Sequence, residues 1–475
     1  MTTYDLAQPE LRSPRSLREA WIALAGLSAV FLFEMLDNSI LNVALPTIGR
    51  DLHASTTALQ WVSNSYAVVF GGLMLVFGAV ADRFGRRRVM LAGLALLAVA
   101  SLATLFVTSV SGLIAVRSVM GIAAAMTTPG SIALAFRLFQ ADDLRIRAMT
   151  LISTVGLVGL AIGPPLGGFL LAIAPWQALL LINVPIAVLA FVGIGRGIQA
   201  DTDLHHGPAD YLGGLLGTAA IALALVTPTL FVEGSSWLAW AAAALTVVTA
   251  ILFVVRARTA SHPLLDLKLV AHPLVSSGLA YKAATGLAAA GLTYLVTLQL
   301  QLDWGWSPAL AAAGMLPQVA VLIAAGPLVN RFVHWAGLNR AVWLGALCVV
   351  AGLAVYALLG RLGYPPVAIA LVLVAIGIRV VGAVAGVNVL KGLPENRTSI
   401  GAALVDTASQ VTSAAGVAVS GTVLAVLFVG GIAQPDWTSA QTAQFERAVT
   451  IGSLALTAMA AALVGWAYLR TRSAH

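Results

Sequence analysis

The sequence predicts an all-α polytopic membrane protein with fourteen transmembrane helices. Hydrophobic residues make up 60% of its 475 residues and charged residues only 9%, which is too little charge to cover a soluble protein of this length. The polar residues cluster and leave apolar runs of 18 or more residues. Such runs match the length that a helix needs to cross a hydrocarbon core about 30 Å thick, whereas a porin-like barrel would show alternating segments of about ten residues.

Fourteen apolar runs have this length, and the pattern sets their boundaries to within about four residues. An even number of spans places both termini on the same side of the membrane. The limits of the runs are 20–45, 58–80, 88–108, 111–137, 148–172, 177–196, 211–231, 236–256, 272–298, 307–332, 340–360, 365–390, 398–428 and 448–470.

The basic residues predict how these helices cross the membrane. If the N-terminus is cytoplasmic, 20 of the 26 Lys and Arg lie on the cytoplasmic side, and only Arg50, Arg361 and Arg447 lie on the other. Cytoplasmic loops of membrane proteins carry this excess of positive charge. We therefore expect a multi-pass protein of the plasma (inner) membrane with both termini in the cytoplasm. Anionic lipid headgroups can balance the net charge of +7, so nucleic acid is not expected as a partner.

Several kinds of chemistry have no signal in the sequence. The single cysteine, Cys348, excludes disulfides within the chain and cysteine-based metal cages. Neither the HExxH zinc motif nor the GxxxxGK[ST] phosphate loop occurs. We therefore expect neither an enzyme nor a metal site, and no ATP hydrolysis within this chain.

A short internal repeat predicts the domain organisation. GAVADRF at residues 78–84 lies between the second and third spans, and GPLVNRF at residues 326–332 lies between the tenth and eleventh. Paired halves around a central path are the usual plan of secondary transporters. The repeat predicts six-helix halves at residues 1–196 and 263–475, with a two-helix insertion at residues 197–262 between them.

The first repeat extends into GAVADRFGRRRVM, residues 78–90, which resembles the loop motif of the major facilitator superfamily. A carboxylate beside arginines at helix ends can form a charge-and-dipole latch between spans, and glycines allow a tight turn. Loop charge that only sets orientation is the alternative interpretation. The resemblance implies a conformational latch made of Gly78, Asp82, Arg83, Gly85 and Arg86.

The fifth predicted span carries IGPPLGG, residues 162–168, preceded by Gly156 and Gly159, and together they resemble the antiporter motif of the same superfamily. Glycine and proline at this density allow close helix approach and a kink, although ordinary small-residue packing has the same composition. In the family this motif marks proton-coupled exporters more than importers. The residues at its positions are Gly159, Gly163, Pro164, Gly167 and Gly168.

Three further stretches resemble the fourteen-span drug:proton antiporter branch of the superfamily. They are LDNSILNVALPTIGRDL at 36–52, INVPIA at 182–187 and QLDWGWSPALAAAGMLP at 301–317. Gln177 departs from the branch, which usually has arginine there. The resemblance implies a major facilitator fold with helices arranged as 6+2+6, and a proton gradient in place of any cofactor.

Three ionisable residues inside the first half are candidates for proton coupling, because charge is costly within a membrane. Helical rise places Asp37 ~12 Å and Arg117 ~9 Å from the outer end of their spans, so the two can pair. Arg117 fits the RxxxG motif, whose arginine the family uses in proton coupling. Glu34 lies one turn deeper than Asp37 on the same helix face. The two carboxylates could trade a proton for a cation, and simple pairing with a lysine or arginine is the alternative.

The second half contributes Lys282, Arg379 and Asp406 to the predicted substrate cavity. Helix counting places Arg379 and Asp406 at similar depth, which predicts an ion pair between the twelfth and thirteenth spans, either structural or functional. Lys282 lies near mid-depth, which favours a position in the cavity. The other predicted cavity residues are Asn38, Asn42, Gln60, Asn64 and Gln301.

These patterns lead to one functional hypothesis and two rivals. We expect a proton-coupled antiporter that exports small amphipathic or cationic compounds (multidrug efflux) by alternating access of its two halves. A lipid or metabolite exporter on the same scaffold is the first alternative, and a membrane receptor without transport is the second. The expected partners are a small-molecule substrate, protons and membrane lipids, and the chain is expected to act as a monomer.

Overall fold

The computed structural model describes residues 14, 16–139, 141–199, 201, 210–232, 236–261, 263, 266–393, 398–430, 432 and 437–472. Helices dominate these residues, and none of them lies in a β-strand. The first part of the chain forms α1 (Trp21–Asp51), α2 (Thr56–Phe84), α3 (Arg86–Ala103), α4 (Val110–Leu138), α5 (Asp142–Ile173), α6 (Gln177–Leu181) and α7 (Asn183–Gly197).

A helical hairpin and a second set of helices follow. The hairpin consists of α8 (Tyr211–Val232) and α9 (Ser236–Thr259). The second set consists of α10 (Leu267–Ala271), α11 (Pro273–Leu298), α12 (Pro308–Gly314), α13 (Leu316–Ala324), α14 (Gly326–Ala336), α15 (Leu338–Leu359), α16 (Tyr364–Lys391), α17 (Thr398–Leu427) and α18 (Ser439–Arg472). A π-helical turn, Gln299–Asp303, extends α11.

The predicted number of membrane spans agrees with the helices. Within the described part of the chain, 12 helices are long and apolar enough to cross a membrane, and two bent helix pairs bring the number to 14. Each predicted apolar run overlaps one of these helices or pairs. The prediction of an all-α polytopic membrane protein is therefore confirmed.

The two bent spans occupy corresponding places in the two sets of helices. In α2 the segments Thr56–Met74 and Val76–Phe84 meet at 53°, and the segments α13 and α14 meet at 59°. Gly326 and Pro327 begin α14, where proline cannot continue the preceding hydrogen-bond ladder. The repeats GAVADRF and GPLVNRF lie on the arms that follow these bends, so the sequence repeat is also a repeat of shape.

Each set of helices has its own packing, and a few helices join the sets. In the first, α1 packs against α5 and α7, and α2 packs against α4. In the second, α11 packs against α16, α17 and α18. The contacts between the sets are made chiefly by α2 with α17 and by α5 with α12 and α13.

The α8–α9 hairpin contacts both sets through α8, which lies against α2 and α17. Thr218 on α8 donates a hydrogen bond of 2.5 Å to the backbone oxygen of Gly72 on α2. The hairpin therefore follows the first set in sequence and bridges the two sets in space. The exact domain limits at residues 196 and 262 stay a prediction.

Candidate functional site

The centre of the site is an ion pair between Asp37 on α1 and Arg117 on α4. Arg117 Nη1 lies 2.6 Å from Asp37 Oδ2, and the side chains are 1% and 0% exposed. Asn183 at the start of α7 donates a hydrogen bond of 2.8 Å to the other carboxylate oxygen, Asp37 Oδ1. The pair predicted from depth is present, and the amide satisfies the oxygen that the arginine leaves free. Such satisfaction is what a buried charge needs, because desolvation otherwise outweighs the attraction.

An aromatic ring covers the guanidinium of this pair. Arg117 Cζ lies 4.5 Å from the centre of the Tyr66 ring, and Arg117 Nη1 also lies 3.7 Å from Met120 Sδ. A cation over an aromatic face is stabilised by the ring quadrupole, more strongly when water is excluded. Tyr66 Oη and Arg117 Nε have no hydrogen-bond partner among the described residues. The guanidinium therefore keeps one free hydrogen-bond donor, which can bind another acceptor when the ion pair with Asp37 breaks.

Glu34, one turn from Asp37, has a separate set of partners. Thr128 Oγ1 on α4 and Gln410 Nε2 on α17 each donate a hydrogen bond of 3.1 Å to it, one to each carboxylate oxygen. The Glu34 side chain is 3% exposed. Because α4 and α17 belong to different sets of helices, Glu34 is held from both sides of the interface between the two sets. The main feature of the site is the contrast with Asp37, whose partners among the described residues come from the first set.

Two further charges from the second set of helices lie near Glu34. Lys282 on α11 and Asp406 on α17 are close enough to interact electrostatically with Glu34, and Lys282 also interacts with Asp406. Both are partly buried. The interface therefore brings together two carboxylates and one ammonium group. Charges buried among membrane-spanning helices in this way mark substrate or ion pathways in membrane proteins.

The predicted ion pair between Arg379 and Asp406 is wrong. Arg379 makes no ion pair or hydrogen bond with any described residue, and its Nε is buried without a partner. Its guanidinium instead lies against α14, where a Cβ on Gly326 would come within 2.7 Å of Arg379 Nη2. Helix counting gives depth but not the direction in which a side chain leaves the helix, and α16 turns Arg379 towards α14. The charged neighbours of Asp406 are Lys282 and Glu34 instead.

Two of the predicted cavity amides join the sets of helices at the end of the bundle that the sequence predicts to be extracellular. Gln60 Nε2 on α2 donates a hydrogen bond of 3.2 Å to the backbone oxygen of Ala418 on α17. Gln301 Nε2 donates one of 2.9 Å to the backbone oxygen of Val43 on α1. Both glutamines are buried. In this conformation they close the interface rather than face an open cavity.

The three predicted cavity asparagines differ in what the structure describes. Asn64 on α2 is 1% exposed, and neither its Nδ2 nor its Oδ1 has a partner among the described residues. Asn42 on α1 accepts a hydrogen bond of 3.4 Å from Ser63 Oγ. The side chain of Asn38 lies outside the described part of the chain. An unsatisfied buried amide is costly, so Asn64 is a donor and acceptor available to a water or a substrate.

The glycines of the predicted antiporter motif form the surface of α5 against which α1 packs, called here the seat of α1. A Cβ on Gly159, Gly163 or Gly167 would collide with α1 between Leu32 and Ile40. For Gly159 the obstacle is the Leu32 backbone oxygen at 2.9 Å, which cannot move without moving the helix. This stretch of α1 carries both candidate proton-coupling carboxylates. The motif thus fixes the position of those carboxylates through backbone contact, which the small-residue interpretation also allows.

The last motif glycine contacts the other set of helices. A Cβ on Gly168 would come within 2.6 Å of the Pro308 backbone oxygen on α12. Pro164 and Pro165 both lie inside α5, where neither can donate a backbone hydrogen bond to the ladder. The motif therefore contributes both to the packing of α5 against α1 and to the contact between α5 and α12, which joins the two sets of helices.

The predicted latch has its ion pair at the turn between α2 and α3. Arg86 Nε lies 2.8 Å from Asp82 Oδ1, and Gly85 between the helices has φ +101°, which an L side chain rarely adopts. Arg83 lies over the ring of the phenylalanine that follows it. A Cβ on Gly78 would find its nearest neighbour 4.0 Å away, so Gly78 is not required sterically here. Because both members of the pair are partly exposed, its contribution to stability is small.

Asp201, which the sequence did not single out, is the more buried carboxylate in this region. Its Oδ2 accepts a hydrogen bond of 2.9 Å from the backbone nitrogen of Arg87, and its Oδ1 lies 2.8 Å from Arg137 Nη1. Arg87 Nη2 also donates to the backbone oxygen of Gly195 on α7. The loop motif is therefore tied to α4 and to the chain beyond α7.

The sequence also did not indicate the neutral partners of the charged groups. A neutral polar side chain costs less than a charge inside a membrane, so its position along a span does not mark it as functional. These partners are Asn183, Tyr66, Thr128 and Gln410.

Comparison with known proteins decides the family. A model of the Major Facilitator Superfamily matches residues 27–202. The cephamycin export protein CmcT of Amycolatopsis lactamdurans is 33% identical to this chain over 75% of this chain and 73% of its own length. The chain belongs to the major facilitator superfamily. It is therefore a membrane transporter of small molecules and not an enzyme, as the sequence predicted.

Other relatives place this transporter in the drug-efflux branch. The multidrug efflux pump LfrA of Mycolicibacterium smegmatis is 29% identical over 89% of this chain and 84% of its own length. The methyl viologen resistance protein SmvA of Salmonella typhimurium is 30% identical over 70% and 67%. A crystal structure of a bacterial homologue of the lysosomal transporter Spinster superposes with a TM-score of 0.68 at 14% identity, covering 96% of this chain and 98% of that one. This last similarity concerns the fold alone.

Proposed function

We propose that this transporter exports amphipathic or cationic small molecules in exchange for protons, by alternating access of its two sets of helices. The observation that carries the proposal is the pair of separately held carboxylates on one helix, Asp37 within the first set and Glu34 at the interface. Relatives named for multidrug efflux and for resistance to methyl viologen, a dication, support export and a cationic substrate class. The positive charges support a plasma (inner) membrane location with cytoplasmic termini.

The proton step is assigned to Asp37. A proton on its carboxylate removes the charge that Arg117 requires, and leaving one member of a buried ion pair alone costs about 3–5 kcal/mol. A charge crossing 100 mV of membrane potential supplies about 2.3 kcal/mol. The two quantities are of the same order, so protonation and rearrangement of α1, α4 and α7 are energetically coupled. After the ion pair breaks, the Tyr66 ring still stabilises the guanidinium, and the free Nε of Arg117 can donate a new hydrogen bond.

The substrate step is assigned to the interface around Glu34. Its carboxylate and that of Asp406 attract a cation, and Lys282 limits the attraction so that the substrate can leave. Asn64 offers a hydrogen-bond donor and acceptor on α2. Because Gln410 belongs to the second set of helices and α1 to the first, separation of the sets must break the hydrogen bond between Gln410 and Glu34. Substrate binding and the opening of the interface therefore compete for the same groups.

Reconstitution in liposomes tests the function. Wild-type protein is expected to drive methyl viologen uptake when the lumen is acidic, with proton release that a trapped pH-sensitive dye follows in parallel. Abolition of uptake by a protonophore is expected as well. The exposed-surface variant Glu446→Gln serves as a matched control, because Glu446 lies far from both carboxylates in the sequence and is exposed. Uptake that proceeds equally without a proton gradient contradicts proton coupling, and transport of lysolipid but of no drug favours the lipid-exporter alternative.

A further inference from the structure

A second polar region lies outside the transport site, at the end of the bundle where α11 and α15 begin and α18 ends. A cavity of about 380 Å³ opens there between these three helices. Its described lining consists of Tyr281, Asn339, Arg340, Trp343, Leu344, Tyr468, Thr471 and Arg472. The positive charges of the sequence place this end at the cytoplasmic face of the membrane.

Two arginines of this cavity have no hydrogen-bonding partner in the part of the chain that the structure describes. Arg340 and Arg472 are exposed, and neither forms a hydrogen bond or ion pair with a described residue. Arg472 stacks on Tyr468, with Cζ 4.9 Å from the ring centre, and that ring lies 5.5 Å from the Trp343 ring. No acidic side chain occurs among the described lining residues. The stacking orders one guanidinium without using its donors, so both arginines can bind an anion.

An adjoining cavity on the other side of Arg340 carries an independent sign of a ligand. It has a volume of about 430 Å³, and Asn339 and Arg340 line both cavities. Asn388 on α16 also lines it, is 3% exposed, and has no hydrogen-bond partner for its Nδ2 among the described residues. A buried amide donor left open at a cavity wall is costly unless an acceptor from outside satisfies it.

The surroundings of the cavities select a lipid among possible anions. Leu344 at the cavity wall and Leu347 one turn along α15 are exposed, and on α18 Trp466 and Leu469 are 49% and 66% exposed. These side chains form an apolar surface that begins beside the arginines and continues into the predicted membrane core. Tryptophan and tyrosine at such a boundary are typical of the lipid headgroup region. Basic pockets between spans on the cytoplasmic side bind anionic lipid headgroups.

We propose that Arg340, Arg472 and Asn388 bind the phosphate headgroup of an anionic phospholipid of the inner leaflet, with its acyl chains along α15 and α18. The lipid would bridge α15, α16 and α18, which are three helices of the second set. Its predicted effect is to stabilise that set at the cytoplasmic end. The site is separate from Asp37 and Glu34 and does not depend on what the transporter exports.

Purified protein in a neutral detergent tests the proposal by thermal unfolding and by native mass spectrometry. Phosphatidylglycerol is expected to raise the melting temperature and to remain bound, whereas phosphatidylcholine at the same concentration has a smaller effect. A basic residue near a charged membrane surface contributes about a fivefold change in affinity, so Arg340→Gln and Arg472→Gln together should weaken phosphatidylglycerol binding about 25-fold. Arg340→Lys with Arg472→Lys should retain most of the binding.

The control variant is Arg361→Gln, an exposed arginine at the opposite end of α15. It should bind phosphatidylglycerol like the wild type. Equal binding of phosphatidylglycerol by the wild type and the double glutamine variant overturns the proposal, provided that their melting temperatures without lipid agree. If the glutamine variant does not fold, equal binding of phosphatidylglycerol and phosphatidylcholine by the wild type overturns it alone. Inorganic phosphate that stabilises the wild type as much as phosphatidylglycerol does assigns the site to a free anion, which overturns the lipid.

Discussion

Two carboxylates one helical turn apart on α1 have opposite kinds of surroundings. Asp37 is held by Arg117 and Asn183, both from the first set of helices, and its ion pair is entirely enclosed. Glu34 is held by neutral donors, one from each set of helices, and its charged neighbours come from the second. Protonation of Asp37 breaks contacts within the first set of helices, whereas separation of the two sets breaks the contact of Glu34 with Gln410. The difference suggests a proton site and a substrate site placed next to each other on one rigid element.

The ion pair of Asp37 should be the most costly to disturb. Arg117→Met leaves the Asp37 charge buried without its partner, and we expect the free energy of unfolding to fall by about 3–5 kcal/mol. The double variant Asp37→Asn with Arg117→Met removes both charges and should regain a large part of this loss. Thermal unfolding in detergent measures both. An exposed ion pair contributes less than about 1 kcal/mol. A loss of that size for the single variant would contradict the burial of the Asp37–Arg117 pair.

The seat of α1 should affect both carboxylates together. In Gly159→Val the added atoms meet the Leu32 backbone oxygen, so α1 must shift, and overpacking of this kind costs about 1–3 kcal/mol. Transport of methyl viologen should fall with stability, since both sites move. Gly382→Val on α16 is the matched control, because a Cβ there has no atom within 4 Å. Equal melting temperatures for the two variants would contradict the close contact of α1 with α5.

Glu34 should distinguish substrates by charge. Glu34→Gln keeps a carbonyl oxygen for one of its hydrogen-bond donors but removes the negative charge at the interface. We expect the affinity for methyl viologen to fall at least about tenfold, or ~1.4 kcal/mol, with little change for a neutral drug such as chloramphenicol. Binding to purified protein, measured by quenching of tryptophan fluorescence, provides the comparison. A parallel loss for both compounds would mean that Glu34 acts through packing and not through its charge.

The smallest effect is expected outside both sites. Asp82→Asn removes a partly exposed ion pair at the turn between α2 and α3, and such pairs contribute about 0.2–1 kcal/mol. Asp201→Asn, although close in space to the same loop, should cost more, because Asp201 is 5% exposed and binds a backbone nitrogen and Arg137. Melting temperatures of the two variants rank them. The reverse order would show that the loop motif, and not Asp201, holds this end of the bundle together.

The sequence alone predicts the membrane spans and one of the two proposed ion pairs, but not the neutral partners of the carboxylates. Composition and charge located every span, because lipid imposes a length and a polarity that soluble proteins do not share. Depth along the helices found the Asp37–Arg117 pair. The same rule failed for Arg379 and Asp406, since helix counting leaves the direction of a side chain undetermined.

The partners of the carboxylates were harder to find. Asn183 lay in a stretch recognised only by resemblance, and Thr128 and Gln410 are neutral residues whose importance comes from what they touch. Asp201 lies in the chain after α7, where nothing in its neighbours indicates burial. Tertiary packing alone decides which of the many polar residues in the spans become ligands of a charge.

Transport by Asp37→Asn in two modes separates the proton site from the substrate site. In proteoliposomes, exchange of radiolabelled methyl viologen for unlabelled methyl viologen requires the substrate site but no net proton movement, whereas uptake driven by a proton gradient requires both sites. We predict that Asp37→Asn loses gradient-driven uptake and retains exchange. Gradient-driven uptake at the wild-type rate would contradict the role of Asp37, and loss of exchange in correctly folded protein would contradict the separation of the two sites.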